Sequence, residues 1–185
     1  RSLMYGEIPF NISWERELVG TPRPDEYRDV LPLYAEGLLT LAQHVSRQSC
    51  DGVLVLGNSA SDMWQDLSQV AMMYDIPLPF VQPVEDDGMC FGTLPTQIAA
   101  FHNVGITLQY PLIVDDFIDS AKKIEGLHAL FHGLGMSVSY AVLYGRKGMI
   151  KSLRCDGIDV FSAIDRENSR LLELLKLRKS PRSCT

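Results

Sequence analysis

The chain has 185 residues, 46% of them hydrophobic, and a formal net charge of −6; this is enough apolar material for one substantial core, and the acidic surplus excludes general affinity for nucleic-acid phosphates. Cys50, Cys90, Cys155 and Cys184 show no CxxC or Cys/His spacing, which signals neither a zinc site nor a disulfide framework. No apolar run approaches the roughly 20 residues that cross a bilayer, and the N-terminal residues lack a basic-then-apolar pattern, so the expectation is a soluble, cytoplasmic protein that engages no membrane.

In chain order, residues 1–24 contain Gly, Pro and scattered apolar positions and suit an N-terminal arm. From Asp25, apolar residues at Val30, Leu31, Leu33, Tyr34, Leu38, Leu39, Leu41 and Ala42 recur near helical spacing, with Pro32 early enough for a first turn. This predicts an amphipathic helix ending near Gln48. "CDGVLVLGNSASDMWQDLSQVAMMYDIPL" predicts a strand over Val53–Gly57, a small polar turn, and a helix from about Ser61 to Tyr74 in which Trp64 packs on the sheet.

"LPFVQPV" predicts the next strand. The polar, glycine-containing loop "EDDGMCFGTLPTQ" reads either as a mobile flap or as an ordinary hairpin connection. A short strand candidate follows at Gly105–Leu108, then the apolar strand of "PLIVDD" and a helix from about Ser120 to Leu134 closed by "GLG". "SVSYAVLYGRKG" and "IDVFSAI" supply two further strands, and from Asp165 the chain reads as a helix fraying into a basic end. Short buried strands alternating with helices predict an α/β fold, a doubly wound, mainly parallel sheet flanked by helices. The expected division is an arm over 1–24, an α/β domain over 25–165, and a C-terminal helix and tail over 166–185.

The chemistry concentrates at Asp115 and Asp116. Adjacent carboxylates repel and resist burial, and in an open parallel sheet ligands bind beyond the carboxyl ends of the strands, where Gly57–Ser61 and Asp115–Ser120 both fall. The helix start after Asp116 offers free N–H groups to a phosphate, while the carboxylates suit hydroxyls or a cation. A sugar phosphate satisfies both. The bland reading of the pair is helix capping, that of Lys122 and Lys123 a solvated helix face, and that of His128 and His132 helix packing without a third metal ligand.

"LIVDDFIDSAKK" resembles the phosphoribosyl pyrophosphate (PRPP) motif of type I phosphoribosyltransferases, in which an apolar strand runs into two acidic residues, two apolar ones and a Thr-Gly-x-Thr phosphate loop. Its "FID-S-A-K" portion is closest to the purine-salvage branch, hypoxanthine-guanine phosphoribosyltransferase and its xanthine relatives. The order of elements from Asp25 to about Gly148 is similar to that family's core. The resemblance implies a homodimeric enzyme that uses PRPP, a purine-like nucleobase and Mg²⁺.

Carried over by position, the resemblance implies that Asp115 and Asp116 hold the ribose hydroxyls directly or through Mg²⁺, and that Asp119 bonds N7 of the base as general acid/base. Ser120, Ala121, Lys122 and Lys123 stand in the phosphate loop, and Gly57, Asn58, Ser59 and Ala60 in the pyrophosphate loop. Either Arg146 or Lys147 meets the exocyclic oxygen of the base. Three departures stand out: Ser120 replaces a threonine and keeps its hydroxyl, Ala121 replaces the glycine, and Lys123 replaces the second threonine. They leave open a PRPP-dependent transferase, a non-catalytic binder of PRPP or a nucleotide that regulates or scaffolds, and another transferase or hydrolase on the same fold.

Overall fold

The computed structural model describes residues 27, 29–79, 81–84 and 93–179. The N-terminal arm and residues 85–92 of the expected flap lie outside them. Among the described residues five strands, β1 (Gly52–Leu56), β2 (Val81–Val84), β3 (Pro111–Ile118), β4 (Ser139–Gly145) and β5 (Val160–Ile164), form one sheet in the order β2-β1-β3-β4-β5. All four pairings are parallel. Among the described residues the helices are α1 (Leu31–Arg47), α2 (Gly57–Met73), α3 (Leu94–Asn103), α4 (Ala121–Gly133), α5 (Lys147–Cys155) and α6 (Ser169–Lys179).

Side chains that alternate along the strands supply the two faces of this doubly wound α/β sheet. Val53, Val55, Leu112, Val114, Ala141 and Leu143 enter a core shared with α1, α2 and α6. Leu54, Leu56, Ile113, Tyr140, Val142 and Val160 enter a second core shared with α3, α4 and α5. Strands buried on both faces read as continuous apolar runs, as β1 does at all five positions. Among the described residues no helix is long and apolar enough to cross a membrane.

Several boundaries differ from the sequence reading. The helix expected within the segment from Asp25 runs over Leu31–Arg47, with Pro32 in its first turn as its position implied. No strand forms at Gly105–Leu108, which is an irregular connection. Leu94–Gln97, expected in the flap, open α3 instead, where the Gln97 amide donates to Thr93 Oγ1 at 3.1 Å. The polar turn expected at Gly57–Ser61 is the first turn of α2, because the chain passes from β1 into helix in one step. Gly57 takes φ = +76° at that junction, a conformation open to glycine and costly for residues with a Cβ.

The two strands that position the site are locked together at their amino ends. The Asp51 carboxylate accepts hydrogen bonds from the N–H groups of Gln109 and Tyr110, just before the Gly52↔Pro111 pair that opens the β1–β3 ladder. α1 approaches the sheet closely at Gly37, where a Cβ would come within 2.9 Å of Ile164 and Leu143 side-chain carbons.

Candidate functional site

β1 stops pairing with β3 at Val55↔Val114, whereas β3 stays paired with β4 out to Ile118↔Gly145. Asp115 and Asp116 therefore lie in the central strand just past the last β1–β3 pair. That is the carboxyl-end crevice where the strand order reverses, the place at which open α/β sheets take ligands. The first turn of α2 and the first turn of α4 open at the same edge, as the sequence reading expected. The strand does not end with the apolar run, however. It continues through Phe117 and Ile118 and buries both acids, Asp115 to 2% exposure and Asp116 to 0%.

Buried carboxylates need donors. Asp115 Oδ1 accepts the Asp116 N–H at 2.8 Å, and Asp116 Oδ1 accepts the Phe117 N–H at 2.9 Å. The Lys123 ammonium donates to Asp115 Oδ2 at 3.1 Å, an ion pair reaching from the first turn of α4 back to the strand. Lys123 is itself only 20% exposed. Sequence reasoning offered Lys123 either a phosphate or solvent; its observed partner, eight residues back, has no spacing rule to announce it.

The other motif residues surround this pair. Asp119 is exposed, and Ser120 is the N-cap residue of α4 in extended conformation, its hydroxyl making no capping bond. Ala121 opens the helix and Lys122 is exposed. In the first turn of α2, Gly57 is half-buried, Asn58 exposed, and Ser59 and Ala60 buried; the Ser61 hydroxyl donates to the Gly57 carbonyl at 2.8 Å. Gly57–Ala60 thus present a helix N-terminus rather than a loop, with its unpaired N–H groups on the site edge.

Arg146 and Lys147 follow β4 on the same edge, both exposed, at the start of α5. Lys147 lines a cavity of about 530 Å³ with Gly145, Lys151, Arg154, Ser162 and Asp165. The sequence reading missed Glu167, which fixes this corner: its carboxylate accepts the Tyr144 hydroxyl at 3.2 Å and the Lys147 N–H at 3.3 Å. Burial and the nearby Glu167 carboxylate raise the Tyr144 phenol above its ordinary pKa. Nothing in the spacing of residues 144, 147 and 167 signals the contact.

A magnesium ion, which the motif resemblance implies, does not fit the acid pair as arranged. Mg²⁺ takes near-octahedral oxygen ligands, one or two of them carboxylates. Here three carboxylate oxygens of the pair already accept bonds from the chain, and an ammonium stands at 3.1 Å from Asp115. Among the described residues no group of three or more His, Cys, Asp or Glu is gathered as for a metal.

Fold and site together define a doubly wound parallel α/β protein carrying a buried carboxylate pair at its topological switch point. By sequence the chain matches no protein-family model and no curated protein. By structure it is similar to orotate phosphoribosyltransferase from Aeropyrum pernix, at 17% identity and a TM-score of 0.43, over 77% of this chain and 76% of that one. It is also similar to UMP synthase from Leishmania donovani, at 16% identity and a TM-score of 0.46, over 84% of this chain and 32% of that one. The chain thus spans about a third of the latter's length.

Proposed function

We propose that the chain is a phosphoribosyltransferase, which joins the phosphoribosyl group of PRPP to a ring nitrogen of a purine-like nucleobase and releases pyrophosphate. The observation that carries this reading is the position of Asp115–Asp116 toward the carboxyl end of β3, in the switch-point crevice at the edge where α2 and α4 begin. In this reading the acid pair receives the ribose hydroxyls, the first turn of α4 receives the 5′-phosphate, and the first turn of α2 receives the pyrophosphate. The C1–O bond to pyrophosphate breaks as the base nitrogen closes on C1, through an oxocarbenium-like transition state. Catalysis then rests on holding the two partners in line and on N–H groups aimed at the departing charge. Asp119 takes or returns the proton of the base, and Arg146 or Lys147 meets its exocyclic oxygen. The motif resemblance extends this proposal to a cytoplasmic homodimer.

The test is release of pyrophosphate from PRPP with hypoxanthine, guanine, xanthine or orotate as acceptor. At least one base is expected to support turnover, and Asp119→Asn should lower kcat by about 10²–10⁴-fold, the usual worth of a general acid/base, with PRPP affinity unchanged. PRPP binding without pyrophosphate release from any base would instead support a second reading, a non-catalytic PRPP or nucleotide binder. The Lys123–Asp115 ion pair, which stands where the family motif has a threonine hydroxyl, favours that alternative.

A further inference from the structure

We infer that Lys123 takes the place of a divalent cation at the acid pair, so that ligand binding at this site requires no added metal. The inference rests on the reading of the pair as a PRPP site. Its ground is the arrangement of Lys123 and Asp115 in this chain. A lysine in the first turn of a helix opposes the helix dipole and is unfavourable there unless a carboxylate answers it. Lys123 is the third residue of α4, and its ammonium lies 3.1 Å from Asp115 Oδ2, between a strand position 2% exposed and a helix position 20% exposed.

Two adjacent buried carboxylates would otherwise repel both each other and an incoming diphosphate. With the ammonium in place, the pair and Lys123 together carry one negative charge less, and the positive group sits at the helix start where a phosphate oxygen would arrive. Asp115 Oδ1 and Asp116 Oδ1 are already engaged by backbone N–H groups, which fixes the carboxylate planes without a metal. The ligand's 5′-phosphate can then share the ammonium with Asp115, gaining a charge-assisted hydrogen bond where a threonine hydroxyl would supply a neutral one. A metal ion brought to Asp115 would have to displace that ammonium first.

The experiment is calorimetric titration of the full chain with PRPP, once in EDTA and once in excess MgCl₂, for wild type, Lys123→Thr and Lys123→Arg, with thermal unfolding to establish that each variant is folded. Wild-type affinity is expected to agree within about threefold between the two conditions. Lys123→Thr should lose about tenfold or more in EDTA, the scale of a charge-assisted contact, and recover in MgCl₂. Lys123→Arg should keep metal-independent binding. Wild-type binding that requires Mg²⁺, or Lys123→Thr binding as wild type does in EDTA, overturns the inference and leaves the transferase reading standing. Absence of PRPP binding under either condition overturns both.

Discussion

At Tyr140 the structure sets a solvent-free phenol against the second core. It is 1% exposed, its hydroxyl makes no hydrogen bond among the described residues, and burial raises its pKa above the ordinary value of about 10. Above that pH the unfolded chain gives up the proton while the folded chain keeps it, so stability is intact below about pH 10 and declines as the pH rises further. Tyr140→Phe removes an unsatisfied polar atom with little loss of volume. Its urea midpoint is expected to equal or exceed that of wild type near neutral pH and to fall less steeply above about pH 10. An unchanged alkaline decline would assign the effect to other groups.

The acid pair was legible as residues because no packing rule explains two carboxylates at the end of an apolar run. Their burial was not legible, because it depends on β4 outlasting β1 as a neighbour of β3.

Among elements, α1 and α2 are joined by a polar contact inside an otherwise apolar interface. The Tyr34 hydroxyl, fully buried, donates to Asp66 Oδ2 at 2.7 Å, and Asp66 is 4% exposed. Tyr34→Phe removes a donor from a buried carboxylate, and a loss of about 1.5–3 kcal/mol in unfolding free energy is expected, with the denaturant m-value unchanged. A loss near zero would mean that the carboxylate finds water or another donor.

Long periodic elements such as α1, and the continuous apolar strands β1 and β3, were readable from residue spacing alone. The short helices α3 and α5 were not. α5 buries only Ile150 and Leu153, too few turns to establish a period, and α3 begins with Leu-Pro inside what reads as a polar loop. The junction at Gly57 was misjudged because five small and polar residues carry turn composition, yet the positive φ of one glycine lets strand pass directly into helix.

At the scale of the molecule, the strand order β2-β1-β3-β4-β5 reverses direction between β1 and β3 and brings together residues some 60 positions apart in sequence. The fold class followed from the alternation of strands and helices. The order of strands did not, since an alternating pattern is compatible with several windings and only the observed pairings choose among them. At this switch point α2 and α4 begin on the sheet edge that carries Asp115 and Asp116. The cavity beside Lys147 and Lys151 lies along α5 and β5, on the far side of β4. In the reading proposed above PRPP occupies the crevice at the acid pair, and locating the ligand tests that reading. Amide hydrogen exchange with and without PRPP is the most direct measurement. Added protection is expected at residues 57–61 and 115–123 and should be lost in Asp116→Asn; protection confined to residues 147–155, or none at all, would contradict a phosphoribosyl site at the acid pair.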